Sequence, residues 1–317
     1  MTDRSKIVVT GADGFVGGAL VRYLRERGVG EVVRCVRPGK SGPGDLAYDL
    51  SGHGVVPGLH DVDAIVHSAA RVHVMQVESD PLPAFRAANV EGTMRLAEAA
   101  AEAGVRRFVF LSSIAVNGNA TPVDQPFTAA DSPAPHDPYG VSKFEAEQAL
   151  QALSERSTME VVIVRPTLVY GPGAAGNVQQ MLKWLRLGVP LPLAGIDNRR
   201  SFVSLHNLVD LLALCITHPA AAGQLFLASD AEAVSTPMLL AALANGLGRG
   251  PRLFWMPEAV LRMLAAAVGR RGWVDRLYGS LTVDISKNTR LLGWSPPQSF
   301  EVGIKATVQS PVASSGA

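Results

Sequence analysis

The chain has 317 residues, of which 47% are hydrophobic and 18% are charged. That length and apolar fraction are enough for a well-buried core, in one large domain or in two closely joined lobes. The 29 basic and 28 acidic residues give a net charge of +1 and form no block of one sign. A nucleic-acid-binding surface, and with it a nucleic-acid partner, is therefore not expected.

The cysteines, the histidines and the hydropathy pattern bear on compartment and on metal binding. Cys35 and Cys215 lie far apart and match no metal spacing, which favours a reduced, cytoplasmic protein. The histidines are scattered as well, so no metal site is predicted. No run reaches the ~18 apolar residues of a membrane span. The most apolar helical pattern, residues 254–268, is interrupted by Arg262. We expect it to pack in a substrate lobe, with contact to a membrane surface as the alternative.

The first half of the chain alternates short apolar runs with helical patterns. Near-continuous Val, Ile and Phe runs are typical of strands buried on both faces, and their alternation with helices predicts a parallel sheet. We expect an α/β fold with a Rossmann-type, doubly wound domain over residues 1–166. Its predicted strands are 6–10, 31–36, 63–68, 107–112 and 160–165, and its predicted helices are 15–27, 85–103 and 139–154.

The second half is less regular and predicts a smaller, mixed C-terminal substrate lobe over residues 167–308. Segments near 201–228 are expected to return to the core sheet, and residues 309–317 are expected to form a disordered tail. The predicted elements are helices over 205–217 and 236–247, a strand over 224–228, Gly/Pro-rich loops over 171–176 and 188–198, and a last short helix.

A glycine run follows the first predicted strand directly. Residues 10–17 read Thr-Gly-Ala-Asp-Gly-Phe-Val-Gly, with glycines at Gly11, Gly14 and Gly17, and they open the first predicted helix. The first glycine of such a run allows a tight turn, the second lets the backbone approach a pyrophosphate, and the third lets helix and strand pack closely. Strand before and helix after are the context in which this spacing predicts dinucleotide binding.

The residue at the end of the second predicted strand bears on which dinucleotide is bound. An acidic residue about 20 positions after the glycines usually binds the ribose hydroxyls of NAD. This chain has Arg37 there and no carboxylate. A guanidinium suits a 2′-phosphate through its charge and its paired hydrogen bonds, which favours NADP(H), with NAD as the alternative.

Tyr139 and Lys143 are one helical turn apart on the same predicted helix. A tyrosine titrates near pH ~10, so it is a poor proton donor or acceptor at neutral pH. A nearby ammonium group favours the phenolate, so we expect Lys143 to lower the pKa of Tyr139.

The glycine run, Ser113, Tyr139 and Lys143 together resemble the extended short-chain dehydrogenase/reductase family, nearest its nucleotide-sugar epimerases, dehydratases and reductases. The resemblance extends from Lys6 to about Ala306. It implies that Tyr139 exchanges a proton with the substrate, that Lys143 also binds the nicotinamide ribose, and that Ser113 holds the reacting oxygen. Asn89 matches a helix asparagine that supports the active site, and we include it with the catalytic residues.

The resemblance also implies the residues that contact the cofactor and the substrate. Asp49 and Leu50 match a segment at the adenine, His67–Ala70 a segment under the nicotinamide ribose, and Arg165–Gly173 a segment that turns toward the nicotinamide. Ser113, Asn177 and Arg200 match substrate positions, the last two near the diphosphate. The predicted cofactor residues are Gly11, Asp13, Gly14, Phe15, Val16, Gly17, Arg37, Asp49, Leu50, Ala69, Ala70, Lys143 and Pro166.

Three functions stay open at this point. The first is NADPH-dependent reduction at carbon 4 of a UDP-linked 4-keto-6-deoxy sugar, favoured by Arg37. The second is a 4-epimerase of UDP-hexoses or UDP-N-acetylhexosamines that retains NAD, and the third is a non-catalytic NADP-binding regulator. Dehydration is disfavoured, since Ile114 and Ala115 stand where dehydratases of the family carry an acidic pair. The resemblance further implies a homodimer, paired through the helices predicted at 85–103 and 139–154.

Overall fold

The computed structural model describes residues 5–51, 56–72, 80–122, 124–174, 176–267 and 277–309. The tail predicted at 309–317 lies outside the described residues except for Gln309. The strands are β1 (Lys6–Thr10), β2 (Glu31–Val36), β3 (Leu46–Ala47), β4 (Ala64–His67), β5 (Arg107–Leu111), β6 (Glu160–Pro166), β7 (Leu168–Tyr170), β8 (Arg200–Ser204), β9 (Leu225–Ala228) and β10 (Ala233–Val234).

The helices connect these strands and cover both sides of the larger sheet. A continuous helical stretch after β4 changes type twice: α2 is followed by a π-helical segment over Ala87–Gly92 and then by α3. The helices are α1 (Phe15–Glu26), α2 (Leu82–Arg86), α3 (Thr93–Glu102), α4 (Pro138–Glu155), α5 (Asn177–Leu187), α6 (Leu205–Thr217), α7 (Thr236–Gly246), α8 (Glu258–Ala267), α9 (Ser286–Leu292) and α10 (Phe300–Gln309).

Seven strands form one sheet in the order β3-β2-β1-β4-β5-β6-β9. Every pairing in it is parallel. The chain leaves β1 toward β2 on one side and later reaches β4 on the other side, so the strand order reverses between β1 and β4. In doubly wound sheets, ligands bind in the crevice outside the carboxyl ends of the strands at such a point.

Two apolar layers enclose this sheet and hold the crevice rigid. One is built by α1 and α6, whose Leu20 and Leu211 are fully buried. The other is built by α3 and α4, whose Leu96 and Leu150 are fully buried. The strands between them are nearly all apolar, as the predicted double-faced burial requires. The predicted doubly wound parallel sheet is therefore confirmed.

The remaining strands form a small mixed sheet in the order β10-β8-β7, in which β10 and β8 are antiparallel and β7 and β8 are parallel. This sheet and helices α5, α7 and α10 share a third apolar cluster, with Leu182, Leu240 and Ile304 buried in it. The cluster is the smaller mixed C-terminal lobe. β9 runs from this half of the chain back into the large sheet beside β6.

The segment predicted at 254–268 forms α8 over Glu258–Ala267, and Val268 lies outside the described residues. Leu261 packs into the C-terminal apolar cluster, while Met263 and Leu264 are exposed. Within the described ranges, no helix combines the length and the hydropathy needed to cross a membrane.

Candidate active site

The glycine run forms a tight turn between β1 and α1. Gly11 has φ of 64°, and the amide of Gly14 donates to the Gly11 carbonyl at 2.8 Å. A Cβ atom on Gly17 would lie 2.3 Å from the same carbonyl oxygen, so no larger residue fits there without movement. Gly14 precedes α1 without a side-chain cap. The first amides of α1 are thus left to bind an anion, as a pyrophosphate site requires.

A cavity of about 880 Å³ opens at this turn, at the carboxyl ends of β1, β4, β5 and β6. That volume lies within the range of ligand pockets. All thirteen predicted cofactor residues line it, together with Ser113, Tyr139 and Asn177. The size of the cavity, the uncapped helix and the close approach that Gly17 permits all fit a dinucleotide.

The segment predicted to contact the adenine is fixed from behind. The Leu50 carbonyl accepts a hydrogen bond from Arg95 at 2.9 Å, and a Cβ atom on Gly92 would lie 2.4 Å from the same oxygen. Asp49 accepts hydrogen bonds from the amide and hydroxyl of Ser51, both at 2.9 Å. These bonds are the largest cause of the lowered pKa of the Asp49 carboxyl. The segment therefore presents a carboxylate at this end of the cavity.

Arg37 lies at the end of β2, as predicted, and a second cation stands near it. The Asp13 carboxylate is 3.8 Å from the guanidinium of Arg37 and 3.3 Å from the ammonium group of Lys40. Both cations are more than half exposed, so these ion pairs are weak in water. All three side chains line the cavity. Lys40 was not singled out from the sequence, although it stands only three residues after Arg37.

Tyr139 and Ser113 meet across the cavity from two different elements. Asp137 caps α4 by accepting from the Gly140 amide at 2.7 Å, which starts the helix just before Tyr139. Ser113 follows β5 in an extended conformation. Burial, and next the Asp137 carboxylate, raise the pKa of Tyr139 to about 12, while the hydrogen bond with Ser113 lowers it. Tyr139 is thus a protonated hydroxyl at neutral pH, hydrogen-bonded to Ser113.

Lys143 is buried one turn along α4, and its environment differs from the expectation. Its ammonium group donates to the Leu111 carbonyl at 2.7 Å and lies 4.2 Å from the ring centre of Phe110. Burial lowers the pKa of Lys143 to about 7, and the Glu147 carboxylate opposes that shift. We predicted that Lys143 lowers the pKa of Tyr139, and this is wrong for the protein without a bound ligand. Burial raises that pKa most, and the hydrogen bond with Ser113 is what lowers it.

Asn89 lies in the π-helical segment and is 1% exposed. Its amide oxygen accepts from the Arg71 amide at 2.8 Å, and its amide nitrogen donates to the Arg71 carbonyl and to the Ser142 hydroxyl, both at 3.0 Å. Ser142 in turn donates to the Tyr139 carbonyl at 2.8 Å. Asn89 lies behind the cavity wall and ties the segment after β4 to α4. Asn89 is not among the residues that line the cavity, so these contacts favour a positioning role, and a part in catalysis stays a prediction.

His67 supports the same wall from inside the sheet. Its ring nitrogens lie 2.9 Å from the Thr10 hydroxyl and 3.0 Å from the Thr93 hydroxyl. Full burial, and next the charge of Lys143, lower the pKa of His67 to about 3, so the ring is neutral. The Thr10 hydroxyl also accepts from the Ala69 amide at 3.2 Å. One neutral histidine therefore links two segments that line the cavity.

The two residues predicted near the substrate diphosphate separate in the structure. Asn177 is the first residue of α5 and lines the cavity. Arg200 begins β8, and its guanidinium donates to the Gly279 carbonyl at 2.8 Å. Arg200 is not among the residues that line the cavity. Its contact with a substrate therefore stays a prediction.

Several residues at or behind the site were not singled out from the sequence. Arg71 follows the predicted segment His67–Ala70 and lines the cavity beside Ala69 and Ala70. Glu147 could have been found, because it follows Lys143 by one further helical turn. Arg165, its ion-pair partner, begins a predicted cofactor segment, but its pairing with Glu147 was not expected. In the described part of the chain, no three His, Cys, Asp or Glu side chains are grouped to hold a metal ion. Cys35 and Cys215 are unpaired and buried.

Comparison with known proteins agrees with this geometry. The model of the NAD dependent epimerase/dehydratase family matches residues 7–227. A UDP-glucose 4-epimerase of Vibrio cholerae is 42% identical over 311 residues, which cover 96% of this chain and 94% of that protein.

Two solved structures superpose on nearly the whole chain. MoeE5 in complex with UDP-glucuronic acid and NAD is 27% identical, has a TM-score of 0.75 and is matched over 96% of this chain and 98% of its own. The Bordetella bronchiseptica enzyme WbmG in complex with NAD is 23% identical, also with a TM-score of 0.75, over 96% and 93%. At that identity WbmG supports the fold alone. The matched family and the Vibrio cholerae relative place this chain in the NAD-dependent epimerase/dehydratase family, as a sugar-nucleotide enzyme of the extended short-chain dehydrogenase/reductase type.

Proposed function

We propose that this protein is a 4-epimerase of a UDP-hexose or UDP-N-acetylhexosamine that retains its nicotinamide cofactor. The observation that carries the proposal is that Ser113, Tyr139 and Lys143 meet in the cavity that the glycine turn opens. The relative from Vibrio cholerae, named UDP-glucose 4-epimerase, supports it. The sequence alone favoured a reductase, and the comparisons favour the epimerase alternative instead. A non-catalytic regulator has no support from the family.

Each side chain of the site has a distinct task in this proposal. A bound nicotinamide dinucleotide supplies hydride acceptance and hydride return. The Tyr139 hydroxyl exchanges a proton with the sugar hydroxyl at carbon 4. Ser113, already hydrogen-bonded to Tyr139, holds the same sugar oxygen and stabilises charge that develops on it. Lys143, buried one turn along α4 from Tyr139, supplies a positive charge to the site when its amine is protonated.

The state of Tyr139 determines which step the free protein is ready for. With a pKa of about 12, Tyr139 carries its proton at neutral pH and can donate it. To accept a proton, its pKa must fall. A positively charged nicotinamide ring in the same cavity acts in that direction, because an opposite charge favours the phenolate. The site is therefore suited to proton exchange only when it is loaded.

The nucleotide part of the substrate is proposed to lie toward α5. Asn177 and Gly176 line the cavity at the first turn of this helix. The amides of that turn and the Asn177 side chain suit a diphosphate. The resemblance adds Arg200, whose guanidinium lies in a neighbouring part of the C-terminal lobe.

A second candidate function is favoured by one specific observation. Arg37 and Lys40 both stand at the end of the cavity where a ribose 2′-phosphate would lie, and NADPH is the cofactor of net reductions. This keeps open an NADPH-dependent reduction at carbon 4 of a UDP-4-keto-6-deoxy sugar. The two candidates use the same Ser113, Tyr139 and Lys143 and differ in whether the cofactor is consumed.

One purification separates the two candidates. The protein is purified without added cofactor, denatured, and its released dinucleotide identified by mass spectrometry. In parallel, the native protein is incubated with UDP-glucose and with UDP-N-acetylglucosamine, again without added cofactor. An epimerase releases bound dinucleotide and forms the 4-epimer of at least one of the two.

Tyr139→Phe protein is the matched control in this experiment, since it keeps the cavity and lacks the exchanging hydroxyl. If neither sugar yields an epimer and a 4-keto sugar consumes NADPH stoichiometrically, the protein is the reductase and not the epimerase. If the protein shows neither epimerase nor reductase activity with any of these sugars, both candidate functions are wrong.

A further inference from the structure

A buried group of charged and polar side chains lies behind the cavity. Glu147 projects from α4, one turn beyond Lys143, and is 2% exposed. Arg165 is the next-to-last residue of β6, just before Pro166, and is 3% exposed. The guanidinium of Arg165 donates to both oxygens of Glu147, at 2.9 Å and 2.5 Å. Burying two charges costs desolvation free energy, so the contacts of this pair indicate what it contributes to the protein.

The same pair joins α4, which carries Tyr139 and Lys143, to the segment after β5, which carries Ser113. The hydroxyl of Ser112, next to Ser113, donates to Glu147. Asn117, four residues after Ser113, accepts from Arg165 at 2.8 Å. The amide of Ser112 donates to the Val164 carbonyl at 2.8 Å, which ties the ends of β5 and β6 together. Moving either charged side chain would therefore disturb the wall beneath Ser113.

The pair also contributes to the electrostatic environment of Lys143. Glu147, one turn further along α4, favours the charged form of Lys143, and the neutral His67 on β4 has its own pKa lowered by the charge of Lys143. Tyr139 lies one turn before Lys143 on α4. Arg165 on β6 contacts Glu147 and carries the opposite charge. We infer that this positive charge offsets part of the effect of the Glu147 carboxylate, while burial is the largest influence on the pKa of Lys143.

We propose that Glu147 and Arg165 form a positioning pair whose two charges act on Lys143 in opposite directions, while the pair holds the Ser112–Ser113 strand end against α4. The inference rests on the role proposed for Lys143 and does not depend on which sugar is bound. It requires opposite effects of the two residues on Lys143. Removing the negative member should make the lysine lose its proton more easily, and removing the positive member should make it hold its proton more tightly.

Nuclear magnetic resonance of the free protein tests this directly. The chain has six lysines, at positions 6, 40, 143, 183, 287 and 305, so carbon-13-labelled lysine gives a simple spectrum. The signal that is missing in a Lys143→Gln variant identifies Lys143. Its titration midpoint is expected at about 7 in the unsubstituted protein. Glu147→Gln should lower this midpoint by about one unit or more, and Arg165→Gln should raise it.

Two further variants keep the test decisive. Asn117→Ala removes one hydrogen bond to Arg165 without changing any charge, so the midpoint should stay in place. If a single charge variant does not fold, the double variant Glu147→Gln with Arg165→Gln takes its place, because it leaves no unpaired buried charge. Its midpoint should lie below that of the unsubstituted protein, since the nearer charge removed is the negative one.

Shifts of the same sign in both single variants, or unchanged midpoints in folded protein, would overturn the proposal, as would a double variant at or above the original midpoint. The readout needs no substrate and no cofactor. Expected shifts in a protein that interconverts no UDP-sugar would therefore overturn the proposed function and leave the charge pair standing.

Discussion

The Gly11 carbonyl oxygen occupies the space that a side chain at Gly17 would need, because a Cβ atom there would lie 2.3 Å from it. Real Cβ atoms do not approach backbone oxygens so closely, so a Gly17→Ala variant must move the turn or the start of α1. We expect a loss of about 1–3 kcal/mol in the free energy of unfolding. We also expect much weaker binding of the dinucleotide, measured by fluorescence titration of the free protein.

The control for this variant is Gly42→Ala. Gly42 lies in the connection between β2 and β3, where the nearest atom to an added Cβ is an Asp45 carboxylate oxygen at 3.7 Å, an ordinary contact. The Gly42→Ala protein should bind the dinucleotide as tightly as the unsubstituted protein. Normal binding by Gly17→Ala as well would show that the turn is not the pyrophosphate site.

Removing the Tyr139 hydroxyl should affect turnover and spare cofactor binding. A positioned proton donor contributes about 10²–10⁴-fold to a rate. Tyr139→Phe should therefore lower kcat by about that factor, with the dissociation constant of the dinucleotide nearly unchanged. The assay is epimer formation from the UDP-sugar that the unsubstituted protein accepts.

Tyr23→Phe is a matched loss of a hydroxyl outside the site. Tyr23, on α1, donates to Asp210 on α6. This variant should lose about 1 kcal/mol of stability and keep its kcat. Equal activity of the Tyr139→Phe and Tyr23→Phe proteins would show that the Tyr139 hydroxyl takes no part in the reaction.

Arg37 and Lys40 are expected to decide how well the protein accepts a 2′-phosphate. Hydrogen bonds to charged groups contribute about 1.5–3 kcal/mol, so replacing both residues by alanine should weaken NADP(H) binding about tenfold to a hundredfold and NAD(H) binding far less. Asp13→Asn should do the reverse, because it frees both cations from a competing carboxylate. Titration calorimetry with the two dinucleotides gives the ratio. Arg27→Ala removes a remote charge just after α1 and should leave the ratio unchanged. Equal losses of affinity for both dinucleotides in the Arg37 and Lys40 variant would exclude this role.

Lys143 should make stability depend on pH in a definite direction. Its pKa falls from 10.5 in the unfolded chain to about 7 in the folded protein. Between these values the unfolded chain holds more protons, so this lysine makes the free energy of unfolding rise as pH rises from about 7 toward 10.5. Its contribution is lost as pH falls through about 7. Urea unfolding at several pH values, compared with Lys143→Met, isolates the effect, and parallel curves for the two proteins would contradict it.

The parts of the fold that the sequence predicted well are those whose pattern is local. The strands Lys6–Thr10 and Glu31–Val36 and the helix Leu205–Thr217 match residue for residue, because unbroken apolar runs and clear end signals define them. The cofactor residues likewise follow from one turn and the segments beside it. Helix α5 and strand β8 were missed because α5 lies between the Gly/Pro-rich stretches 171–176 and 188–198 and β8 follows the second of them. Residues of both pack in the apolar cluster of the C-terminal lobe.

The electrostatics of the site could not be predicted in the same way. The spacing of Tyr139 and Lys143 is local and was found, but their pKa values depend on burial and on Glu147, Asp137 and Ser113. Arg200 is not among the residues that line the cavity, and the Gly279 carbonyl to which it donates is 79 residues away in the chain. Contacts between residues so far apart in the chain cannot be predicted from the spacing of residues in a local motif.

The π-helical segment at Ala87–Gly92 has a consequence for how this chain compares with others. A π turn holds one more residue than an α turn. The segment thus behaves as a one-residue insertion that has been absorbed without leaving the helix. Since each residue turns an α-helix by about 100°, winding residues 87–92 as a regular α-helix without losing one would swing the upstream part around by about that angle. Phe85, whose ring lies 6.1 Å from that of Tyr139, would lose its place while α3 kept its face on the sheet. An alignment that counts residues evenly through this helix will therefore pair the wrong side chains on one side of it.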